Sequence, residues 1–480
     1  YFSSEIKALP ELGLKLNLIN PESINNYLSY IWCPGKNTPE AKVFKVEPGE
    51  VIKVKNGAII SRHFWHKTYK TQKSSRKFIN ENDLISETSN IIRKAVQRQL
   101  ISDVPIGAFL SGGLDSSTIV KFAKEIKPKI NCFTIKNIKR SSSNSEGFVE
   151  DYRYAVEVSK HLNVPLHTLE VRENNLINSI ENMVYQLDEP LADPASLNVY
   201  LISNLARQKG FKVLLSGTGG DDIFSGYRRH IAIKNEQYWS WLPYPTRYLL
   251  SKLTKKLPQN YSYYRRISKL FSGLHLNPED RLINYFRWIN QNDLNLLYTE
   301  DFKSKLNNLP NKNPMKEYLR KFPSKVSRFE QMLALEQRFF LGDHNLIYTD
   351  KMSMQTGVEV RVPFLDIDLV EFVNDLPSKV KTKGLTTKWL LKKVMEKHLP
   401  KHIVYRPKTG FGVPLRDWFK NDLRDWTKET LSKDNLSKYN IFDHEQVSRM
   451  IDYNDKGIKD TSYTILSIIC IEIWLKKFFN

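Results

Sequence analysis

Two short stretches combine glycines, hydroxyls and aspartates at spacings able to hold a phosphate. SGGLDSS runs from Ser111 to Ser117, and GTGGDD runs from Gly217 to Asp222, directly after Ser216. In the first, Gly112 and Gly113 let backbone N–H groups approach an anion with no Cβ in the way. Ser111, Ser116 and Ser117 add hydroxyl donors. In the second, three glycines again open the backbone, and Asp221 and Asp222 offer hard oxygen ligands. Carboxylates beside phosphates repel them unless a cation intervenes, so this turn asks for a divalent ion. Neither stretch is a Walker A loop, because the Gly-Lys-Ser/Thr ending is missing, and neither is G-x-G-x-x-G. Taken alone, a glycine–serine turn more often caps a helix, and a Gly-Asp loop more often bonds its own backbone.

The elements around these turns decide what they can do. The apolar runs VPIGAFL, INCFTI, PLHTLEV and KVLLS alternate with helix-like stretches, which predicts a parallel sheet covered on both faces. PIGAFL then reads as a buried strand and SSTIVKFAKEI as the start of a helix. SGGLD becomes a strand-to-helix turn at the carboxyl end of its strand, where open sheets bind ligands. The helix amino terminus adds positive potential there. KVLLS leads into the second turn in the same way. A long helix is expected over Asn82 to Leu100, with Leu84, Ile85, Thr88, Ile91, Ile92 and Ala95 near one face. Beyond about Ile231 the chain reads as mostly helical. The first seventy or so residues read as β-rich, with a hairpin turn at Lys55 to Gly57 and a short helix capped near Pro21 or Ser23. Lys67 to Lys77 reads as a linker.

With 480 residues, 41% hydrophobic and 12% aromatic, the chain has material for two or three globular domains. No apolar run reaches the length of a membrane span, so no membrane partner is expected. Cys33, Cys132 and Cys470 are far apart and form no C-x-x-C pair, which speaks against disulfides or zinc and points to a reducing cytoplasm. The formal charge of +21 is spread along the chain without an RNA-binding signature, so no nucleic-acid partner is expected. The same field would attract an anionic small substrate.

SGGLDSS resembles the PP-loop of ATP pyrophosphatases, which cradles pyrophosphate while a substrate is adenylylated. Together with GTGGDD it resembles the synthetase domain of asparagine synthetases. Further blocks follow in that family's order: DEPLADPAS from Asp188 to Ser196, DKMSMQTGVEVRVPFLD from Asp350 to Asp366, TTKWLLKK around Lys388, and RPKTGFGVPLRDWF. The resemblance implies an α/β fold, with a PP-loop synthetase domain of the adenine nucleotide alpha hydrolase-like kind over 78–480 and a helical C-terminal part. It implies ATP held by Leu110, Ser111, Gly112, Gly113, Asp115, Ser116, Ser117, Ile135, Ser216 and Gly217. Magnesium would be held by Asp115 and Asp221, with Lys388 stabilising charge on pyrophosphate and on the acyl-phosphate transition state. Asp193, Asp222 and Arg361 are candidates for the acceptor. Arg361 equally fits an ion pair with Asp366 or Glu359, and Lys388 on its own reads as a solvated helix face.

YFSSEIKALPEL, at the start, resembles a block inside the family's glutaminase domain, so 1–72 reads as the closing part of that β-rich domain. Its catalytic cysteine would lie upstream of Tyr1, and Cys33 is internal and cannot supply an α-amine base. The opening tyrosine predicts a trimmed amino terminus. Thr218 occupies the place where asparagine synthetases commonly carry glutamate, and threonine is no general base near neutral pH. The expected substrates are ATP, aspartate or another carboxylate, and glutamine or ammonia; a homodimer is left open. Amidation of a sugar or peptide carboxylate, a tRNA-modifying PP-loop enzyme and a binding-only homologue are the competing readings.

Overall fold

The computed structural model describes residues 1–64, 80–137, 149–171, 176–255, 257, 262–310, 312–408 and 413–479. The linker expected over Lys67 to Lys77 lies outside the described residues. A two-stranded antiparallel hairpin joins β1 (Glu50–Lys55) to β2 (Ala58–Phe64). Asn56 and Gly57 both adopt positive φ between them, as the tightest hairpin turn requires. The catalytic-scale architecture is a five-stranded parallel sheet of β3 (Ile106–Phe109), β4 (Asn131–Asn137), β5 (Leu166–Val171), β6 (Val213–Leu215) and β7 (Glu359–Arg361), with the order β5-β4-β3-β6-β7. The expected α/β class with a parallel sheet and a helical remainder is therefore observed.

Chain order runs outward from β3 to β5, then returns to the other side of β3 as β6. The carboxyl ends of β3 and β6 thus flank the point where strand order reverses, which opens a crevice between their following turns. Register aligns the two ends, since Ala108 pairs with Leu215. One sheet face packs on helices that include Glu81–Gln99, Leu114–Ile126 and Trp389–Met395, burying Ile92, Val96, Val120, Phe122, Leu390 and Val394. Asn80 caps the first of these through its side chain, accepting from the Asp83 N–H at 2.9 Å. Phe133, Leu214, Ile202 and Ala206 fill the other face.

The larger core is helical. The Ser462–Phe478 helix is apolar on nearly every side and sits inside it, which its sequence dictates. Residues from the amino-terminal segment join this same core: Ile24, Tyr27, Leu28, Tyr30 and Trp32 are all buried there. Trp32 packs edge-on against Phe286 and Phe340, and Tyr27 donates to the Ser467 carbonyl.

Two expectations need correction. Residues 1–64 are less β-rich than expected: beside the hairpin they carry a helix at Pro21–Tyr30, a short turn of helix and isolated bridges. The hairpin finds no neighbouring strand among the described residues, and its Val51, Ile59, Ile60 and Phe64 are exposed. The helix starts near Pro21 as expected: Asn20 caps it, accepting from the Ser23 N–H at 3.2 Å, and Pro21 takes the first helical position, where its missing N–H costs nothing. β7 is a further departure, a strand of three residues within a region read as helical.

Candidate active site

A cavity of about 470 Å³ opens between the turns that follow β3 and β6. Leu110, Ser111, Gly113, Asp115 and Ser116 line one side, and Ser216, Gly217, Thr218, Asp221 and Asp222 line the other. The turns touch directly. A Cβ on Gly217 would lie 2.7 Å from the Ser116 nitrogen, and one on Gly220 would lie 2.6 Å from Asp115 Oδ1. Glycine is required at both places by this approach of backbone to backbone and carboxylate. Within the first turn, the Ser111 N–H donates to Ser116 Oγ at 3.2 Å, and Ser116 Oγ donates to the Gly113 carbonyl. The hydroxyls therefore shape the loop as well as face the cavity.

Lys388 joins the turns. Its ammonium bonds to Asp115 Oδ2 and lies 2.5 Å from Asp221 Oδ1. The residue precedes the Trp389–Met395 helix in left-handed conformation, with φ 51° and ψ 34°. That conformation costs a non-glycine residue roughly 1–2 kcal/mol, so the surrounding packing imposes it. Gly226 makes room: a Cβ there would fall 1.7 Å from Asp221 Oδ1 and 2.2 Å from Lys388 Cε. Lys388 is buried, which corrects the reading of it as a solvated helix face.

Electrostatics in this cluster follow from burial and pairing. Burial opposes the Lys388 charge, yet Asp115 and Asp221 outweigh it and raise its pKa. Burial also pushes both carboxyls upward. At Asp221 the Lys388 and Lys408 ammoniums overcome burial and hold the group below its usual range. At Asp115 burial prevails over Lys388, and the nearby Asp221 charge adds to the rise. Asp222 is pushed well above the ordinary range by burial and by the charges of Glu336 and Asp221.

Other cations face the same space. Lys408 lies 2.5 Å from Asp221 Oδ2 and 3.8 Å from the centre of the Tyr227 ring. Arg406 donates to the Gly112 carbonyl at 3.2 Å, bonds Asp151, and stacks 4.3 Å from the Tyr154 ring centre. Arg229 is held by Glu336, with the Tyr227, Phe286 and Phe340 rings around its guanidinium. Beyond Thr218 the wall continues through Asp193, Tyr227, Phe340, Asn345 and Tyr348. Phe340 and Asn345 come from a π-helical stretch, Glu336–Asn345, a geometry that tends to mark functional sites. Thr218 turns its hydroxyl to Ser216 Oγ at 2.8 Å.

Several expected site residues lie elsewhere. Arg361 is not on the cavity wall: it bonds Glu359 and donates to the carbonyls of Gln99 at 2.9 Å and Ile101 at 2.6 Å. It ties the end of the Glu81–Gln99 helix to β7, and this explains its charge without a ligand. Asp366 pairs instead with Arg98. Gly112, Ser117 and Ile135 also stand behind the wall, where Ser117 is fully buried and Gly112 packs against the Tyr154–Ala155 backbone. Phe133 and Thr134 reach the cavity from β4 in place of Ile135. Asp188 is an ionic hub, bonded to Lys7 and Lys351, while the Ala192 N–H donates to the Ile31 carbonyl. It thereby connects three of the motifs but does not reach the cavity. Thr409 to Gly412 of the RPKTGFG block lie outside the described residues.

The donor set fits magnesium as a companion of a phosphate ligand. Asp115 Oδ1 is buried and accepts no hydrogen bond, and Asp221 stands across the same ammonium. Magnesium usually takes one or two carboxylates and completes its shell with phosphate and water. No group of three or more His, Cys, Asp or Glu side chains forms a metal cage among the described residues.

The sequence also matches known proteins. Residues 87–476 match the sequence model of the asparagine synthase family. The chain is 28% identical over 480 residues to glutamine-hydrolyzing asparagine synthetase 1 of Bacillus subtilis, covering 99% of this chain and 71% of that protein. It is 22% identical over 476 residues to amidase chyE of Penicillium rubens, covering 92% and 68% respectively. The match to the family spans most of the sequence and both glycine–aspartate turns, so the chain belongs to the asparagine synthase family and is an enzyme of its ligase type.

Proposed function

We propose that this enzyme activates a carboxylate with ATP and converts it to an amide with ammonia. The observation that carries the reading is Lys388, buried between the Asp115 and Asp221 carboxylates of two adjoining strand-end turns. In the first step a carboxylate oxygen attacks the α-phosphorus of ATP, the α–β phosphoanhydride bond breaks, and pyrophosphate leaves. In the second, the nitrogen lone pair of ammonia attacks the acyl carbon, the C–O bond breaks with its electron pair leaving on AMP, and a proton passes from the nitrogen to water.

The backbone of Ser111 and Gly113 and the hydroxyls of Ser111 and Ser116 would hold the pyrophosphate half, with Ser216 and Gly217 opposite. Gly112, Ser117 and Ile135 act from behind the wall, shaping the turn and its strand. Magnesium, held by Asp115 and Asp221, would neutralise the triphosphate. Lys388 would follow the charge onto the departing pyrophosphate, its high pKa keeping it cationic throughout. Thr218 orients substrate through its hydroxyl and takes no proton.

Aspartate is the preferred acceptor, with Asp193, Asp222 and the partly buried Arg229 all on the cavity wall. Glutamine is the preferred source of ammonia, the residues before the synthetase part being the close of a glutaminase domain. The site of this chemistry is the cytoplasm. The test is pyrophosphate release with ATP and ammonia across a panel of carboxylic acids. Release that requires aspartate supports the reading, and release independent of any carboxylate refutes it. Thr218 favours a second reading, amidation of a sugar or peptide carboxylate. Turnover restricted to such acids in the same panel would select it.

A further inference from the structure

The Tyr244–Lys255 helix presents an unusual outer side. Tyr244, Tyr248, Leu249, Lys252 and Leu253 fall on one face at helical spacing and are all exposed, and Tyr238 and Trp241 stand exposed just before it. Its inner face is anchored: Ser251 Oγ lies 3.1 Å from His275 Nδ1, and Arg247 donates to the Leu274 carbonyl at 3.2 Å. The helix is therefore docked, and the outward apolar stripe is not a displaced core face. Tyr244 stacks on Tyr248, and the Lys252 ammonium sits 4.6 Å from the Tyr248 ring centre. None of these residues lines the cavity.

The surrounding sequence carries a second, independent signal. From Tyr238 to Asn277, 40 residues include no Asp or Glu, seven Lys or Arg and nine Phe, Trp or Tyr. An apolar helix face with aromatic residues and lysines, free of carboxylates, matches what lies flat in the headgroup region of a bilayer. Tryptophan and tyrosine are favoured at that depth, and basic side chains meet anionic headgroups.

We propose that this helix and the turn before it form a docking surface for an anionic phospholipid membrane. Charge selects this occupant over a second copy of the chain, because two such carboxylate-free faces would repel each other. The exposed leucines select it over nucleic acid, which offers them no apolar phase to enter. At twelve residues the helix is about 18 Å long, so it rests on the surface; no helix among the described residues is long and apolar enough to cross a membrane.

The experiment is co-sedimentation of the full chain with phosphatidylcholine vesicles, with and without phosphatidylglycerol, in low and high salt. The chain should sediment with the phosphatidylglycerol vesicles and weakly with the others, and less at high salt. The triple variant Trp241→Ser, Leu249→Ser, Leu253→Ser should bind at least about tenfold more weakly while melting and releasing pyrophosphate as the parent does. Those side chains are 73%, 57% and 53% exposed, so the fold does not depend on them. Lys252→Glu should weaken binding and flatten its salt dependence. Absence of phosphatidylglycerol-dependent sedimentation overturns the proposal, as does undiminished binding by the triple variant. Tighter retention of a single-stranded RNA than of the vesicles at equal salt overturns it in favour of nucleic acid. A change from dimer to monomer in the triple variant without vesicle binding assigns the face to self-association instead.

Discussion

Replacing Lys388 separates three effects that coincide at one residue: charge, burial and backbone strain. Lys388→Ala removes the ammonium and leaves Asp115 and Asp221, only 20% and 17% exposed, facing each other. At an effective dielectric of about 20, a cation 2.5 Å from a carboxylate attracts it by roughly 6–7 kcal/mol before desolvation is subtracted. Breaking a buried pair costs about 3–5 kcal/mol net; Lys408 still serves Asp221, so the lower end, about 3 kcal/mol, is expected. The alanine keeps the left-handed conformation and its strain. Lys388→Gly releases that strain and should be about 1 kcal/mol more stable than Lys388→Ala, with neither variant active. Turnover should fall at least about a hundredfold to a thousandfold in both, the usual loss when a preorganised electrostatic group is removed.

The pH dependence carries a definite sign. With lysine present, Asp221 is held below its unfolded pKa of about 4, so its contribution is full above that pH and disappears as pH falls through the depressed value. Without lysine, burial drives Asp115 further above its unfolded value, while Lys408 alone opposes burial at Asp221. The Asp115 contribution is then greatest below about pH 4 and is lost as pH rises through its raised value. The penalty of Lys388→Ala, measured by urea unfolding, should therefore be larger at about pH 7 than at about pH 5. A penalty equal at both, or pyrophosphate release within about tenfold of the parent, refutes the assignment of Lys388 as the cation between these carboxylates.

Gly226→Ala should abolish pyrophosphate release, because its Cβ would collide with Asp221 Oδ1 and Lys388 Cε; circular dichroism should show the helices retained. Arg361→Ala should cost about 0.5–1.5 kcal/mol in unfolding experiments by removing the hydrogen bonds to the Gln99 and Ile101 carbonyls, with KM for every substrate unchanged. Glu472 is buried among the helices, and desolvation raises its pKa to about 8. A raised carboxyl favours the folded state fully below the unfolded pKa of about 4 and loses that advantage as pH rises toward 8. Glu472→Gln should consequently gain about 3–4 kcal/mol over the parent at about pH 7 and only about 1 kcal/mol at about pH 5, a contrast thermal melts at the two pH values would read.

The parallel sheet was legible because β3 and β4 are apolar runs buried on both faces and bounded by turn residues, with β5 a half-buried strand at the sheet edge. The two turns were legible for a related reason, since glycine and aspartate at a strand end have few structural uses in common. β7 escaped because three residues carry no period. Lys408, Arg406 and Gly226 escaped because their meaning lies in what they touch across the fold: Asp221, the Gly112 carbonyl and the Lys388 stem. Arg361 and Lys388 are instructive opposites. Both are basic residues in family-like blocks, yet one ties a helix end to a strand and the other is buried between two carboxylates. Residue type and local spacing are the same kind of signal in both cases, and only tertiary position separates them. The amino-terminal region misled for a different reason: its alternating hairpin was read correctly, but Tyr27 and Trp32 are claimed by the helical core.

That claim has a practical consequence for taking the chain apart. Trp32 fills a socket made by Phe286, Phe340 and His344, and Lys7 and Lys45 hold Asp188 and Glu189 at the start of the loop that carries Asp193. A protease cut anywhere in 65–79 would sever one bond of the chain and none of these contacts. The two fragments should stay together through gel filtration and part only in denaturant. Expressing the later residues alone would leave the tryptophan socket empty and the loop untethered, so a truncated synthetase half is the wrong starting material for studying this enzyme.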